Sequence, residues 1–415
     1  MGDQANADYS AARLGVETTT GPLSGTRVID LSAVISGPFG TAMLADQGAD
    51  VIMVEQAQSP ELIRGAGPLA GGTEGISALF AAQNRNKRSI AIDLKQPEGT
   101  ELLLDLVRAA DVLVQNFRPG AMERLGLGWD VLSAVNPELV MCSISGFGAD
   151  GPYSHRPAFD PIIQSVAAYP MVQADKAGVP KLVATAVCDK ITSLSVAQNV
   201  CAALVARANG AGGQHIELAM MDVAIHFLWP EAMWNYTYLD HETDMPDLSD
   251  IYELYETSDG WAMVYPVATQ AHWSGMCRAL GREDLANDPR FADLQGRVLY
   301  GDAVNAELQA ETRRYSTADL VALMDEADVP VAPVNSRDQM INDPHVQHRG
   351  IIVETEHPTA GRIRQVTPPA RFSETPSSIH RPAPTFAENT DEVLASVLGM
   401  SPERIDKLRA AEVIR

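Results

Sequence analysis

Two carboxylates and a group of cations carry the chemistry that this sequence offers. Asp189 lies in "VATAVCDKITS" (183–193), after small and apolar residues and before a segment with helical spacing. The pattern predicts a strand, an acid and then a helix over "KITSLSVAQNVCAALVARANG", marked by Ile191, Leu194, Cys201, Leu204 and Val205, with Gly210 just past its end. Two readings of Asp189 stand side by side. Asp is a favoured helix N-cap, worth about 1 kcal/mol. The same helix end, through its dipole and amide N–H groups, also keeps a carboxylate ionised in a dry site and stabilises an oxyanion formed beside it. Asp160, in "HRPAFDPIIQS", is the second candidate acid.

The cations lie in "NRNKRSIAIDLK" (Arg85, Lys87, Arg88, Lys95) and "NFRPGAMER" (Arg118, Arg124). In a chain with a net charge of −23 they are candidates for holding phosphates. The alternative is a solvated basic face with internal salt bridges. That acidity argues against nucleic acid or an anionic membrane as a partner. Cys188, next to Asp189, has no histidine near it in sequence and reads as a core residue. The four cysteines form no C-x-x-C pair, which speaks against a disulfide framework or a zinc site and fits a reduced, cytoplasmic setting. "HVQH" (345–348) has ligand-like spacing but no third strong ligand, so no metal is expected.

These side chains must be positioned by a regular frame. "TRVIDL" (26–31), "DVIMVE", "SIAIDL", "DVLVQN" and "LVMCSI" are short apolar runs bounded by Gly, Pro or charge. Between them lie helical stretches such as "PEGTELLLDLVRAA", with an apolar stripe of Leu102, Leu103, Leu106 and Val107. The alternation predicts an α/β fold with a parallel, doubly wound sheet. "SGPFG", "NFRPGAMERLG" and "SGFGADGPY" are glycine-containing loops after strands, where open α/β sheets bind ligands. None is G-x-G-x-x-G or a Walker A loop, so a nicotinamide or ATP site lacks its fingerprint.

With 415 residues, of which 46% are hydrophobic and 20% charged, the chain has material for two domains. The expected layout is a flexible segment over 1–20, a large domain over 21–225 and a smaller one over 226–327. "DVPVAPVNS" then begins a return to the large domain over 328–415. The small domain is rich in Trp and Tyr, including Trp229, Trp234, Tyr236 and Tyr238. No apolar run is expected to reach the roughly 18 residues that span a bilayer, and the polar N-terminus lacks a secretory h-region.

The ordered set "PLSGTRVIDLSAVISGPFGTAMLADQGADVIMVE", "NRNKRSIAIDLK", "NFRPGAMERLGLGWDVLSAVNPELVMCSISGFGADGPY" and "PPARFSETP" resembles the class III CoA-transferase family across nearly the whole chain. The resemblance implies an open Rossmann-like large domain built from both chain ends, a small α+β middle domain and an interlocked homodimer. It implies transfer of CoA from an acyl-CoA to a small carboxylic acid, with no permanently bound cofactor. It places the family's nucleophile on Asp189 and a second acid on Asp160. It places CoA contacts on Val34, Ile35, Ile92, Lys95, Asn116, Phe117 and Arg124.

Some positions depart from the family pattern. Gln56 stands where a basic residue often follows the "VE" strand, and Pro157 replaces a lysine before the second acid. A glycine-rich loop has no counterpart between 240 and 262, which puts formate or oxalate specificity in doubt. The racemase branch has a His immediately before the second acid; Phe159 stands there, and its side chain exchanges no proton. The alternatives to a transferase are an acyl-CoA isomerase or racemase and a non-catalytic CoA-binding homologue.

Overall fold

The computed structural model describes residues 19–70, 76–175, 177–246, 252–265 and 269–415. All but the last two residues of the expected flexible segment, and residues 247–251 of the stretch lacking a glycine-rich loop, lie outside them. Six strands form one parallel sheet: β1 (Arg27–Asp30), β2 (Asp50–Glu55), β3 (Lys87–Ala91), β4 (Val112–Gln115), β5 (Val140–Ser145) and β6 (Gln214–Ala219). Their order is β3-β2-β1-β4-β5-β6, with the direction reversing between β1 and β4. That reversal is a topological switch point, where open α/β sheets leave a crevice at the strand ends.

Strands β1 to β4 are buried along their whole length, as a sheet covered on both faces requires. Helix α1 (Ser36–Asp46) follows β1, α2 (Ala78–Gln83) precedes β3, and α3 (Pro97–Arg108) links β3 to β4. Pro97 starts α3, and its stripe Leu102, Leu103, Leu106 and Val107 enters the core with Ile29, Ile52, Ile90 and Leu113. The chain end joins the same core. Helices Thr390–Leu398 and Pro402–Ala410 supply Val393, Leu394, Ile405 and Leu408, followed by Val413 and Ile414.

The described residues fall into two compact units. The first holds residues up to Ala168, Leu182–Phe227 and His348–Arg415; the second holds Tyr169–Lys181 and Leu228–Gln347. In the second, Val331–Pro333 pairs antiparallel with Trp261–Val264, which also pairs with Leu254–Glu256. The segment expected to start the return at 328 is therefore still hydrogen-bonded within the second unit. Trp273, Met276, Phe291, Leu320 and Met324 form its core, with Trp273 and Phe291 edge-to-face at 5.6 Å.

Between β5 and β6 lie α4 (Asp160–Val166) and α5 (Val187–Ala206), the helices that carry Asp160 and Asp189. The expected strand before Asp189 is absent. Residues 181–186 are irregular and the helix begins at Val187. Small residues and the Thr185 and Val187 backbone turn the chain there through N–H bonds to Val183 and Thr185 carbonyls, both 2.8 Å, so no ladder forms. With the turn that follows, Val187–Ala211 is apolar and long enough by composition to cross a bilayer, against expectation. One face of it is buried against α1, and Gly40 makes the approach close: a Cβ there would stand 2.9 Å from Val196 Cβ. Leu194 and Val205, expected on the buried stripe, are instead 56% and 61% exposed.

Candidate active site

Asp189 is the third residue of α5, not its cap. The N-cap is Ala186, which makes no side-chain capping bond. The Asp189 carboxylate instead faces Ser36, the first residue of α1, whose backbone N–H and hydroxyl favour its charged form. It thus occupies the N-terminal end of the neighbouring helix, where free N–H groups and the dipole favour an anion. Ser193, one turn along, donates its hydroxyl to the Asp189 carbonyl at 2.9 Å and to that of Ile35 at 3.4 Å, tying the two helix ends together.

Asp160 reaches the same place from α4. Its Oδ2 accepts the Asp189 backbone N–H at 3.0 Å, and its Oδ1 accepts from Gln164 Nε2 at 2.5 Å. Gln164 is itself fixed, since its Oε1 accepts the Val183 N–H at 3.0 Å. Both acids are buried, at 8% exposure for Asp189 and 5% for Asp160. Burial, then repulsion from Asp160, raises the Asp189 pKa to about 7, with the Ser36 hydroxyl and N–H pulling the other way. Cys188 points elsewhere in chemistry: burial and the two acids push its thiol up to about 12, which makes it a poor nucleophile at neutral pH.

Asp189 lines an open cavity of about 480 Å³. Around it stand Val34 and Ser36 after β1, Asn116 to Pro119 after β4, Arg124, and the loop Ser154 to Phe159 before α4. A second cavity, about 330 Å³, shares Ala33 and Phe117 with it and adds Gln56, Glu61, Ile92, Leu94 and Lys95. Val34, Asn116, Phe117, Arg124 and Asp189 therefore surround one cavity, and Ile92, Lys95 and Phe117 the next. Ile35 lines neither, and Asp160 acts through the Asp189 backbone.

Local rules are broken where the cavities meet. Val34 has φ +69°, a left-handed conformation that costs a β-branched residue about 1–2 kcal/mol. It is held by Glu61 Oε1, which accepts the Val34 N–H at 2.8 Å. Asn116 commits both ends of its amide to Ala33, accepting the N–H at 2.9 Å and donating to the carbonyl at 2.7 Å. Its side chain shapes the loop and has no end left over as the main contact to a ligand. Gln56 lines the second cavity and donates to Asp93 Oδ1 at 3.0 Å.

The cations divide sharply. Arg85 pairs with Asp46 at 2.5 Å, Arg88 with Asp50 at 2.6 Å, and Lys87 with Asp30 at 2.9 Å, all buried. Lys87 also donates to the Pro38 carbonyl and Asn84 Oδ1, both at 2.8 Å. Burial lowers its pKa and Asp30 opposes that shift. These three are structural, and the expectation that they hold phosphates is overturned; they sit on β3 or just before it, inside the sheet's cover. Lys95, Arg118, Arg124 and Arg156 are exposed, line the cavities and have no carboxylate partner among the described residues. Sequence reasoning missed Ser36 and the pinning role of Asn116. Ser36 carried a signal in "SGP", a hydroxyl next to a Gly-Pro helix start. Among the described residues no group of three or more His, Cys, Asp or Glu is placed to hold a metal ion.

The site is thus a buried carboxylate near a helix end on a parallel α/β sheet, beside cavities lined by exposed cations. The chain belongs to CoA-transferase family III, which matches residues 23–390. It is 36% identical over 385 residues to the succinate–glutarate CoA-transferase of Agrobacterium fabrum, covering 91% of this chain and 96% of that one. It is 33% identical to the succinyl-CoA–L-malate CoA-transferase beta subunit of Chloroflexus aurantiacus, covering 96% and 99%. Among solved structures it is similar to a CAIB/BAIF family protein from Brucella suis, at 30% identity and a TM-score of 0.79, covering 91% of this chain and all of that one.

Proposed function

We propose that this protein moves CoA between two carboxylic acids, with Asp189 as the covalent carrier. The observation that carries the reading is the Asp189 carboxylate itself. It is buried at the edge of an open cavity that Ser36 also lines, the Ser36 N–H and hydroxyl favour its charged form, and cations with no carboxylate partner among the described residues stand around the same space. The named relatives support the class: succinate, glutarate and malate are all dicarboxylic acids.

In the first step an Asp189 oxygen attacks the acyl carbonyl carbon of the donor thioester, the C–S bond breaks, and CoA leaves as thiolate. The product is a mixed anhydride. The thiolate attacks the Asp189 side-chain carbonyl, the bond from that carbon to the bridging oxygen breaks, and the donor acid departs as carboxylate. An aspartyl-CoA thioester remains. The acceptor carboxylate attacks that thioester and releases thiolate; the thiolate then attacks the acceptor's carbonyl, and Asp189 is restored. The Ser36 N–H and hydroxyl, which favour negative charge on Asp189, serve the oxyanion that forms on its side chain. The donors expected from the sequence were the N–H groups after Asp189, of which that of Lys190 is given to the Ala186 carbonyl at 3.1 Å.

Lys95, Arg118 and Arg124 suit the phosphates of CoA, and the apolar wall of Leu31, Val54, Ile92, Leu94 and Phe117 suits its adenine. No metal or nucleotide triphosphate enters, since one thioester replaces another. Exposed Phe159 just before α4, Ile162 and Val166 on it, and Leu194 and Val205 on α5 support a homodimer. The test is to incubate the protein with an acyl-CoA and then hydroxylamine or borohydride. The label is expected on Asp189, and Asp189→Ala is expected to abolish exchange. Full exchange in that variant overturns the role of Asp189, and α-deuterium wash-in without an acceptor acid overturns the transferase reading in favour of an isomerase or racemase.

A further inference from the structure

We propose that Arg156 is the specificity-determining residue of the acid site, holding the far carboxylate of a dicarboxylic substrate while the near one reacts at Asp189. The inference rests on the transferase reading and names its substrate class. It begins from the charges around the Asp189 cavity. Four cationic or imidazole side chains line it: Arg118 and Arg124 from the segment after β4, and His155 and Arg156 from the loop before α4. The acid that lines it is Asp189.

A chain with 54 acidic and 31 basic residues has carboxylates to spare. Its buried arginines take them, as Arg27, Arg85 and Arg88 do. Arg156 has none among the described residues, yet it is not left loose. Its guanidinium lies 3.7 Å from the centre of the Tyr153 ring, and Tyr153 packs edge-on against Phe147 at 5.7 Å. The Arg156 N–H also donates to the Tyr153 carbonyl at 2.9 Å. Stacking of this kind occupies the face of the guanidinium and leaves its N–H edges for a planar, two-toothed partner such as a carboxylate.

The two cation pairs come from different loops. Arg118 follows Phe117, which belongs to both cavities, and Arg124 lines the cavity with them, on the path of a ligand that spans the two. Arg156 belongs to the loop that runs through Ala158 and Phe159 into Asp160, the residue that holds the Asp189 backbone. Ala158, Phe159, Ile144 and Met220 add apolar lining to the same cavity, suited to a short methylene chain. A monocarboxylate would leave the Arg156 fork without its partner; a dicarboxylate fills it.

The experiment measures kcat/KM for glutarate and for valerate, equal in chain length, with one acyl-CoA donor, in the wild type, Arg156→Met and Arg156→Lys. The wild type is expected to prefer glutarate. In Arg156→Met the glutarate-to-valerate ratio should fall about 30-fold or more, chiefly through the KM for glutarate, as loss of a charge-assisted bidentate contact implies. Arg156→Lys should recover part of the ratio, because it keeps the charge and loses the fork. Exchange with both acids at equal efficiency in the wild type, or a ratio unchanged in Arg156→Met, overturns the role of Arg156 and leaves the transferase reading standing. No exchange with any acid, and no hydroxylamine-trapped Asp189, overturns both.

Discussion

Asp189 shows how a reactive carboxylate is held between opposing forces. Burial and Asp160 push its pKa to about 7, while Ser36 favours the anion. The attacking form is the deprotonated one, so transfer should be full above that pH and fall away as pH drops through about 7. Asp160→Asn removes the repulsion while leaving an oxygen for the Asp189 N–H, so the acid limb of the rate profile should move to lower pH, by about one unit. An acid limb that stays or moves upward would show that Asp160 does not repel the nucleophile. Much of this was legible in the residue types. The sequence pointed to Asp189 and Asp160 and to the end of a helix. It did not reveal which helix, because capping by a neighbouring element is a tertiary contact with no local pattern. The same limit applies to Arg85, Lys87 and Arg88, whose partners Asp46, Asp30 and Asp50 lie 38 to 57 positions away in the chain.

At the scale of elements, α1 and α5 form the frame of the site. Gly40 allows their backbones to approach, and the Ser193 hydroxyl ties the start of one to the first turn of the other. Gly40→Ala puts a carbon 2.9 Å from Val196 and is expected to cost about 1–3 kcal/mol in urea unfolding. The separation it forces should also weaken the influence of Ser36 on Asp189 and move the acid limb upward. A variant with unaltered stability and an unaltered pH profile would refute the close packing. Periodicity revealed β1 to β5 and α3, because their apolar residues meet one core; β6, half-exposed along most of its length, was not read as a strand. Periodicity misplaced the buried side of α5: the helix is apolar on several faces, and composition alone does not say which face α1 covers. The irregular stretch before Asp189 was read as a strand for a related reason, since a short apolar run has no period to separate the two.

At the scale of the whole molecule, the exposed apolar side chains of α4 and α5 and a net charge of −23 together favour a defined partner over indiscriminate association. Size exclusion with light scattering should give twice the chain mass of 44.6 kDa. A mass of one chain at micromolar concentration would refute the homodimer. The fold class was legible from alternation of strands and helices, whereas the second unit was not bounded well, because the strand at 331–333 pairs backward over a long separation. One property of the whole chain concerns the sulfur chemistry that any CoA enzyme must manage. Burial raises the pKa of all four cysteines, to about 12 for Cys142 and Cys188 and about 11 for Cys277, with Cys201 raised as well. An activated acyl group passing through the site thus meets no competing protein thiolate. In the proposed transfer the one sulfur nucleophile at work belongs to the substrate, which guards a carrier carboxylate against being diverted into a dead-end acyl-cysteine, and alkylating reagents should find this enzyme slow to poison.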